Sequence, residues 1–219
     1  MNIYDTLVRE NLIIGFSQWD VKGFLARWET ELQMFHNFNY DPICPYHNLS
    51  HLIGVAMLVE DMMKGWNIEP DIRIGILAAL YHDFNYRGKR DDHLNVISSV
   101  NDFKSNYRTN VETKNLVSNI IFLTKWPHEP IPEYQLHLKK FVDIVRDADL
   151  LYSTVFCSKE MINRLYLALG YKCGTYTLED FVKRNRNFIE NQTPFTEKGK
   201  ELLQAHLNTA ICYHIDMGH

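Results

Sequence analysis

The chain carries only four cysteines in 219 residues, and Cys44, Cys157, Cys173 and Cys212 form no C-x-x-C pair. That spacing excludes a thiolate zinc knuckle and a dense disulfide framework, and it predicts reduced, mostly buried thiols. Basic residues are not in excess: 23 Lys and Arg stand against 27 Asp and Glu, for a net charge of −4. Long nucleic acid is held by a cationic stripe that neutralises many phosphates. The tightest basic groups here are only Arg87–Lys89–Arg90 and Lys183–Arg184–Arg186. A small anion needs two or three well-placed cations, so a small-molecule partner is expected rather than a polymer. Uninterrupted apolar runs of about 18 residues are missing, so no membrane-spanning helix is predicted. The opening MNIYDTLVRENLIIG has acidic residues and no basic stretch ahead of an apolar one, which predicts no signal peptide and a cytoplasmic protein.

Apolar residues make up 46% of the sequence and charged residues 23%, enough to bury a sizeable core. The length suits one domain, with the motifs below in about 38–155 and a helical extension over 156–219. Helical periodicity runs almost throughout. Phe24, Leu25, Trp28, Leu32 and Phe35 form one apolar stripe over about 20–36. A break follows at 37–45, punctuated by Asp41-Pro42 and Cys44-Pro45. Further helices are predicted over 48–65, 71–86, 94–103, 113–125, 133–151, 178–189 and 197–215. Strand signals are too weak to build a sheet, so the fold class expected is all-α.

Ten histidines are many for this length. In Tyr46-His47-Asn48-Leu49-Ser50-His51, a helix starting near His47 or Asn48 would set His47 and His51 on one face. Next, His82-Asp83 closes the apolar run ILAALYHD, where a buried carboxylate needs a cation or donors. In Val145-Arg146-Asp147-Ala148-Asp149-Leu150, two aspartates interrupt an apolar helix; they point to different faces, so only one is expected to look inward. Taken together, imidazoles and carboxylates on separate helices make a mixed nitrogen–oxygen set suited to a divalent ion.

The order H…HD…D resembles the HD superfamily of metal-dependent phosphohydrolases. YHNLSH is similar to the Y-H-N-x-x-H element of cyclic nucleotide phosphodiesterases. It also resembles a bacterial subgroup of HD phosphohydrolases that continues with F-H-D-x-x-Y, a T-x-x-H-like element and D-x-D-L, written here as YHDFNY, TKWPH and DADL. The likeness spans about 38–155. It implies an HD-type helical bundle with His51, His82, Asp83 and Asp149 as ligands of one divalent ion (Mn, Mg, Fe, Co, Ni or Zn). Asp149 is preferred over Asp147 because it precedes a Leu. His47 is implied as proton donor to the leaving oxygen, and Asp83 as the group that orients water.

Tyr46 and Asn48 would orient the histidines at the edge of the substrate. Arg87, Lys89, Arg90 and His128 are candidate phosphate contacts, and Phe84, Tyr86, Trp126 and Tyr134 are aromatics able to stack a base. One departure matters. Where the phosphodiesterases read H-D-x-D-H, this chain reads His82-Asp83-Phe84-Asn85-Tyr86, which weakens a second ion site and favours a mononuclear centre. The expected activity is hydrolysis of a small phosphate ester, a nucleotide or deoxynucleotide. Alternatives are a cyclic nucleotide or oligonucleotide phosphodiesterase, and a regulatory module that binds without turnover.

Overall fold

A computed structural model describes residues 3–9, 16, 19–36, 45–65, 69–84, 86, 92–170 and 177–217. They form α1 (Ile3–Arg9), α2 (Val21–Arg27), α3 (Glu29–His36), α4 (Leu49–Met62), α5 (Glu69–Tyr81), α6 (Asp92–Asn106) and α7 (Val111–Leu123). After a 3₁₀ segment, Glu133–Leu138, come α8 (Lys139–Val155), α9 (Lys159–Leu165) with a π-helical turn Tyr166–Gly170, α10 (Leu178–Glu190) and α11 (Glu197–Met217). The described residues contain no strand, so the protein is all-α. None of the described helices is long and apolar enough to cross a membrane.

Helix starts follow local chemistry. Asn48, Asn110, Ser158 and Thr177 sit in extended backbone and accept from the amides of His51, Thr113, Met161 and Asp180. Each side chain thereby satisfies one of the amides that a first helical turn leaves without a partner.

Helix α4 is the centre of the molecule. Every residue but Glu60 and Asp61 is buried, as its apolar sequence requires. It packs on α5 and α8, and α8 in turn packs on α11. Gly54 allows the α4–α8 approach: a Cβ there would lie 2.3 Å from the Tyr152 ring. The contacts among α4, α5 and α8 carry the N-terminal turn of α4, the C-terminal end of α5 and the middle of α8 to one place.

Two charged residues of α8 tie it to its neighbours. Arg146, only 4% exposed, donates from Nε and Nη2 to the Leu123 carbonyl at 2.9 and 2.6 Å and from Nη2 to the Glu129 carbonyl at 2.9 Å. Leu123 ends α7, where unpaired carbonyls and the helix dipole favour a cation. Asp147 is fully buried and accepts from the Phe195 amide and from the amide and hydroxyl of Thr196, at 2.8, 2.8 and 2.7 Å. Thr196 Oγ1 accepts in turn from the Gly199 amide, closing the first turn of α11.

Several expectations are corrected. The helix predicted over 71–86 ends at Tyr81, and His82, Asp83 and Phe84 form a turn. The helix predicted over 133–151 begins as 3₁₀ and runs on to Val155. Helices α1 and α9 were not anticipated; both are short, and seven residues give little periodicity to read. Asp147 and Asp149 both have inward partners, because α8 is covered on two faces, by α11 and by α4 with α5. Cys157 is buried, but Cys212 is exposed. Cys44, Cys173 and the break at 37–44 lie outside the described residues.

Asp147→Ala is expected to destabilise the fold by at least about 2 kcal/mol, since it strands two backbone amides and a hydroxyl. Gly199→Ala should cost about 1–3 kcal/mol, because its Cβ would stand 2.5 Å from Asp147 Oδ2. Chemical denaturation of both variants measures this; wild-type midpoints would remove the anchor role.

Candidate metal centre

The first turn of α4 presents His51. Asn48 Oδ1 accepts from the His51 amide at 3.1 Å, and Asn48 Nδ2 donates to the Pro45 carbonyl at 2.7 Å. Both ends of Asn48 are therefore spent on holding this turn. His82 and Asp83 leave α5 in the turn after Tyr81, and Asp149 projects from α8.

The geometry is tight. His51 Nε2 lies 3.2 Å from His82 Nε2, 3.3 Å from Asp149 Oδ1 and 3.6 Å from Asp83 Oδ2. His82 Nε2 lies 3.5 Å from each of the same two carboxylate oxygens. All four ligand atoms fall within 4.8 Å of one another. Nitrogen and oxygen ligands at about 2.1 Å from one ion stand about 3–3.4 Å apart, so this group could hold a metal ion.

The tautomers agree. The Ala79 carbonyl, 2.7 Å away, accepts from His82 Nδ1, which leaves Nε2 to face the cluster. His51 is fully buried, and of its ring nitrogens only Nε2 has partners, all of them cluster atoms. Tyr152 stands edge-on to the His51 ring at 4.7 Å, and its hydroxyl is 3.0 Å from Ser50 Oγ.

Electrostatics show a site that demands positive charge. Burial opposes a charged His82, but the Asp83 charge, then the hydrogen bond and charge of Asp149 and the Ala79 carbonyl, raise it to about 9. Burial would likewise raise Asp149; hydrogen bonds from His51 and His82 overcome this and hold it well below the usual carboxylate range. Asp83 is also lowered, the charges of His82 and His47 outweighing its burial.

His47 lies just before α4, its Nε2 3.5 Å from Asp83 Oδ2. Tyr86 stacks on its ring at 4.0 Å and 25°. Burial, stronger here than the pull of Asp83, lowers His47 to about 4. Tyr46 is buried between His47, His51 and Tyr152, at ring distances of 4.9, 5.2 and 5.8 Å.

The remaining candidates scatter. His128 sits in the loop after α7, 5.5 Å ring to ring from Phe195, and burial with the Arg146 charge lowers it to about 4. Phe84 is core, Tyr134 is exposed, and Trp126 is exposed beside His128. Arg87, Lys89 and Arg90 lie outside the described residues. Asp92, which sequence reasoning missed, accepts from the Trp126 amide at 2.7 Å. Its signal was faint: one acid among several at a helix start. Tyr152, three residues beyond Asp149, was hidden among ordinary core aromatics.

No known family model matches the chain, and no curated protein matches it.

Without metal, stability should peak near pH 6.5. His82, raised from 6.5 to about 9, contributes stability that is complete below pH 6.5 and lost as pH rises through 9. His47 and His128, lowered from 6.5 to about 4, make the unfolded chain bind protons first as pH falls below 6.5. Thermal melting of chelator-treated protein across this range checks both limbs. Adding Mn²⁺ or Zn²⁺ at pH 7.5 should release about one proton per ion as the His82 proton is displaced. Uptake without proton release in weakly buffered solution contradicts this.

Proposed function

We propose that this chain is a metal-dependent phosphohydrolase of the HD superfamily, acting on a small phosphate ester of the nucleotide or deoxynucleotide class. The observation that carries the reading is the meeting of His51, His82, Asp83 and Asp149 within 4.8 Å, with His47 3.5 Å from Asp83. A single ion of the Mn, Mg, Fe, Co, Ni or Zn type, held by those four residues, would polarise a phosphoryl oxygen and bring the pKa of water toward about 7.

The chain's own groups do the rest. Asp83, shared between His82 and His47, orients water for attack on phosphorus. The water loses one proton to solvent as its oxygen bonds to phosphorus and the ester P–O bond breaks, and His47 gives a proton to the departing alkoxide. Burial keeps His47 neutral in the free protein, and the negative charge of bound phosphate favours the protonated form that donates. Tyr86, stacked on the ring, fixes its plane. The centre lies among α4, α5 and α8, elements held by the core, so the donors are fixed before substrate arrives.

A panel of nucleotides offered with Mn²⁺, Mg²⁺, Co²⁺ and Ni²⁺ should release inorganic phosphate. His82→Ala and Asp83→Ala are expected to lose the ion and to lower turnover more than about 100-fold, with circular dichroism unchanged. Full activity in a metal-free His82→Ala, Asp83→Ala double variant overturns the proposal. Metal retained with no ester turned over leaves a binding module instead.

A further inference from the structure

Three large rings from separate segments meet at the surface, and among the described residues only Phe195 of the three has a charged partner behind it, the buried Arg146 guanidinium 5.6 Å from its ring centre. Trp126 comes from the loop after α7, Phe188 from the end of α10 and Phe195 from the loop before α11. They are 53%, 43% and 44% exposed. Trp126 approaches Phe188 at 6.4 Å and His128 at 4.8 Å, and His128 approaches Phe195 at 5.5 Å. The interplanar angles are 78°, 76° and 56°. None of these pairs is stacked, so they do not consume one another's faces as a parallel stack would.

The rings stand on backbone that is tied down. The Trp126 amide donates to Asp92 at 2.7 Å, the Glu129 carbonyl accepts from Arg146 at 2.9 Å, and the Phe195 amide donates to Asp147 at 2.8 Å. A ring held in this way costs little entropy when something stacks on it. The rim is tied to the helix that carries the centre: Arg146, which holds the Glu129 carbonyl next to His128, stands one turn before Asp149 on α8. Among the described residues the nearby cations are engaged, Lys125 with Glu129 at 2.9 Å and Arg146 with its carbonyls. The described rim is mostly aromatic and suits a planar ring.

We infer that Trp126, His128, Phe188 and Phe195 form a stacking subsite for the nucleobase of the substrate, placing its phosphate toward the metal centre. The choice of substrate rests on the phosphohydrolase reading; stacking of a base does not require turnover. The probes are adenosine, which lacks phosphate, and ribose 5-phosphate, which lacks the base.

Calorimetry should show saturable adenosine binding to the protein. Trp126→Leu and Phe195→Leu should each weaken it about fivefold or more, while Trp126→Phe retains most of it. With turnover as readout, Trp126→Leu should raise KM for adenosine 5′-monophosphate by a similar factor and leave ribose 5-phosphate unaffected. No adenosine binding to wild type overturns the subsite, as does equal binding by a Trp126→Leu, Phe195→Leu variant of unchanged melting temperature. Self-association that buries Trp126 with no adenosine bound also overturns it. Adenosine bound with no ester hydrolysed supports the subsite and removes only the hydrolase reading. Equal turnover of both phosphates without adenosine binding removes only the subsite.

Discussion

The buried Asp83 and the half-buried Asp149 are brought within 4.8 Å of each other, and two like charges in such a place repel strongly. Water cannot screen them fully, because the helices around them are packed. Two imidazoles supply the compensation, and the carboxylates drive His82 to hold a proton that an exposed histidine would have lost at neutral pH. A divalent cation can take the place of that proton. The apolar packing of α4 on α5 and α8 provides the force that holds the four groups together.

Helix α8 carries this arrangement outward. Within four residues it presents Arg146 to the loop after α7, Asp147 to the start of α11 and Asp149 to the centre. Each of the three charges has a different set of partners, and each set is complete enough to repay part of the cost of burial. The C-terminal helix and the aromatic loop are thus placed by the same few turns of backbone that place a metal ligand.

Much of this was legible in the sequence. Periodicity gave the all-α class, and the apolar character of 48–65 marked α4 as central. His82, Asp83 and the Asp147/Asp149 pair stood out as polar groups in apolar runs, the resemblance to HD phosphohydrolases singled out His51 and Asp149, and the structure brings these four together. Other features were not legible. Asp147 looked like the alternative to Asp149, since a sequence shows that two side chains diverge and not that both faces are covered. His47 reads as a histidine of ordinary pKa until its burial is known. Trp126 is distant in the chain from Phe188 and Phe195, and no local pattern indicates that they share a surface.

The anchors of the aromatic loops have a further property. Arg146 grips the carbonyls of Leu123 and Glu129, and Asp147 grips the amides of Phe195 and Thr196. Main-chain groups are present whatever side chain a position bears, the N–H that proline lacks apart. Residues at 126, 128 and 195 can therefore be exchanged without loosening the loops that display them. The scaffold separates what is displayed from what does the displaying, so its preference among ligands is free to drift while the buried ionic core stays as it is.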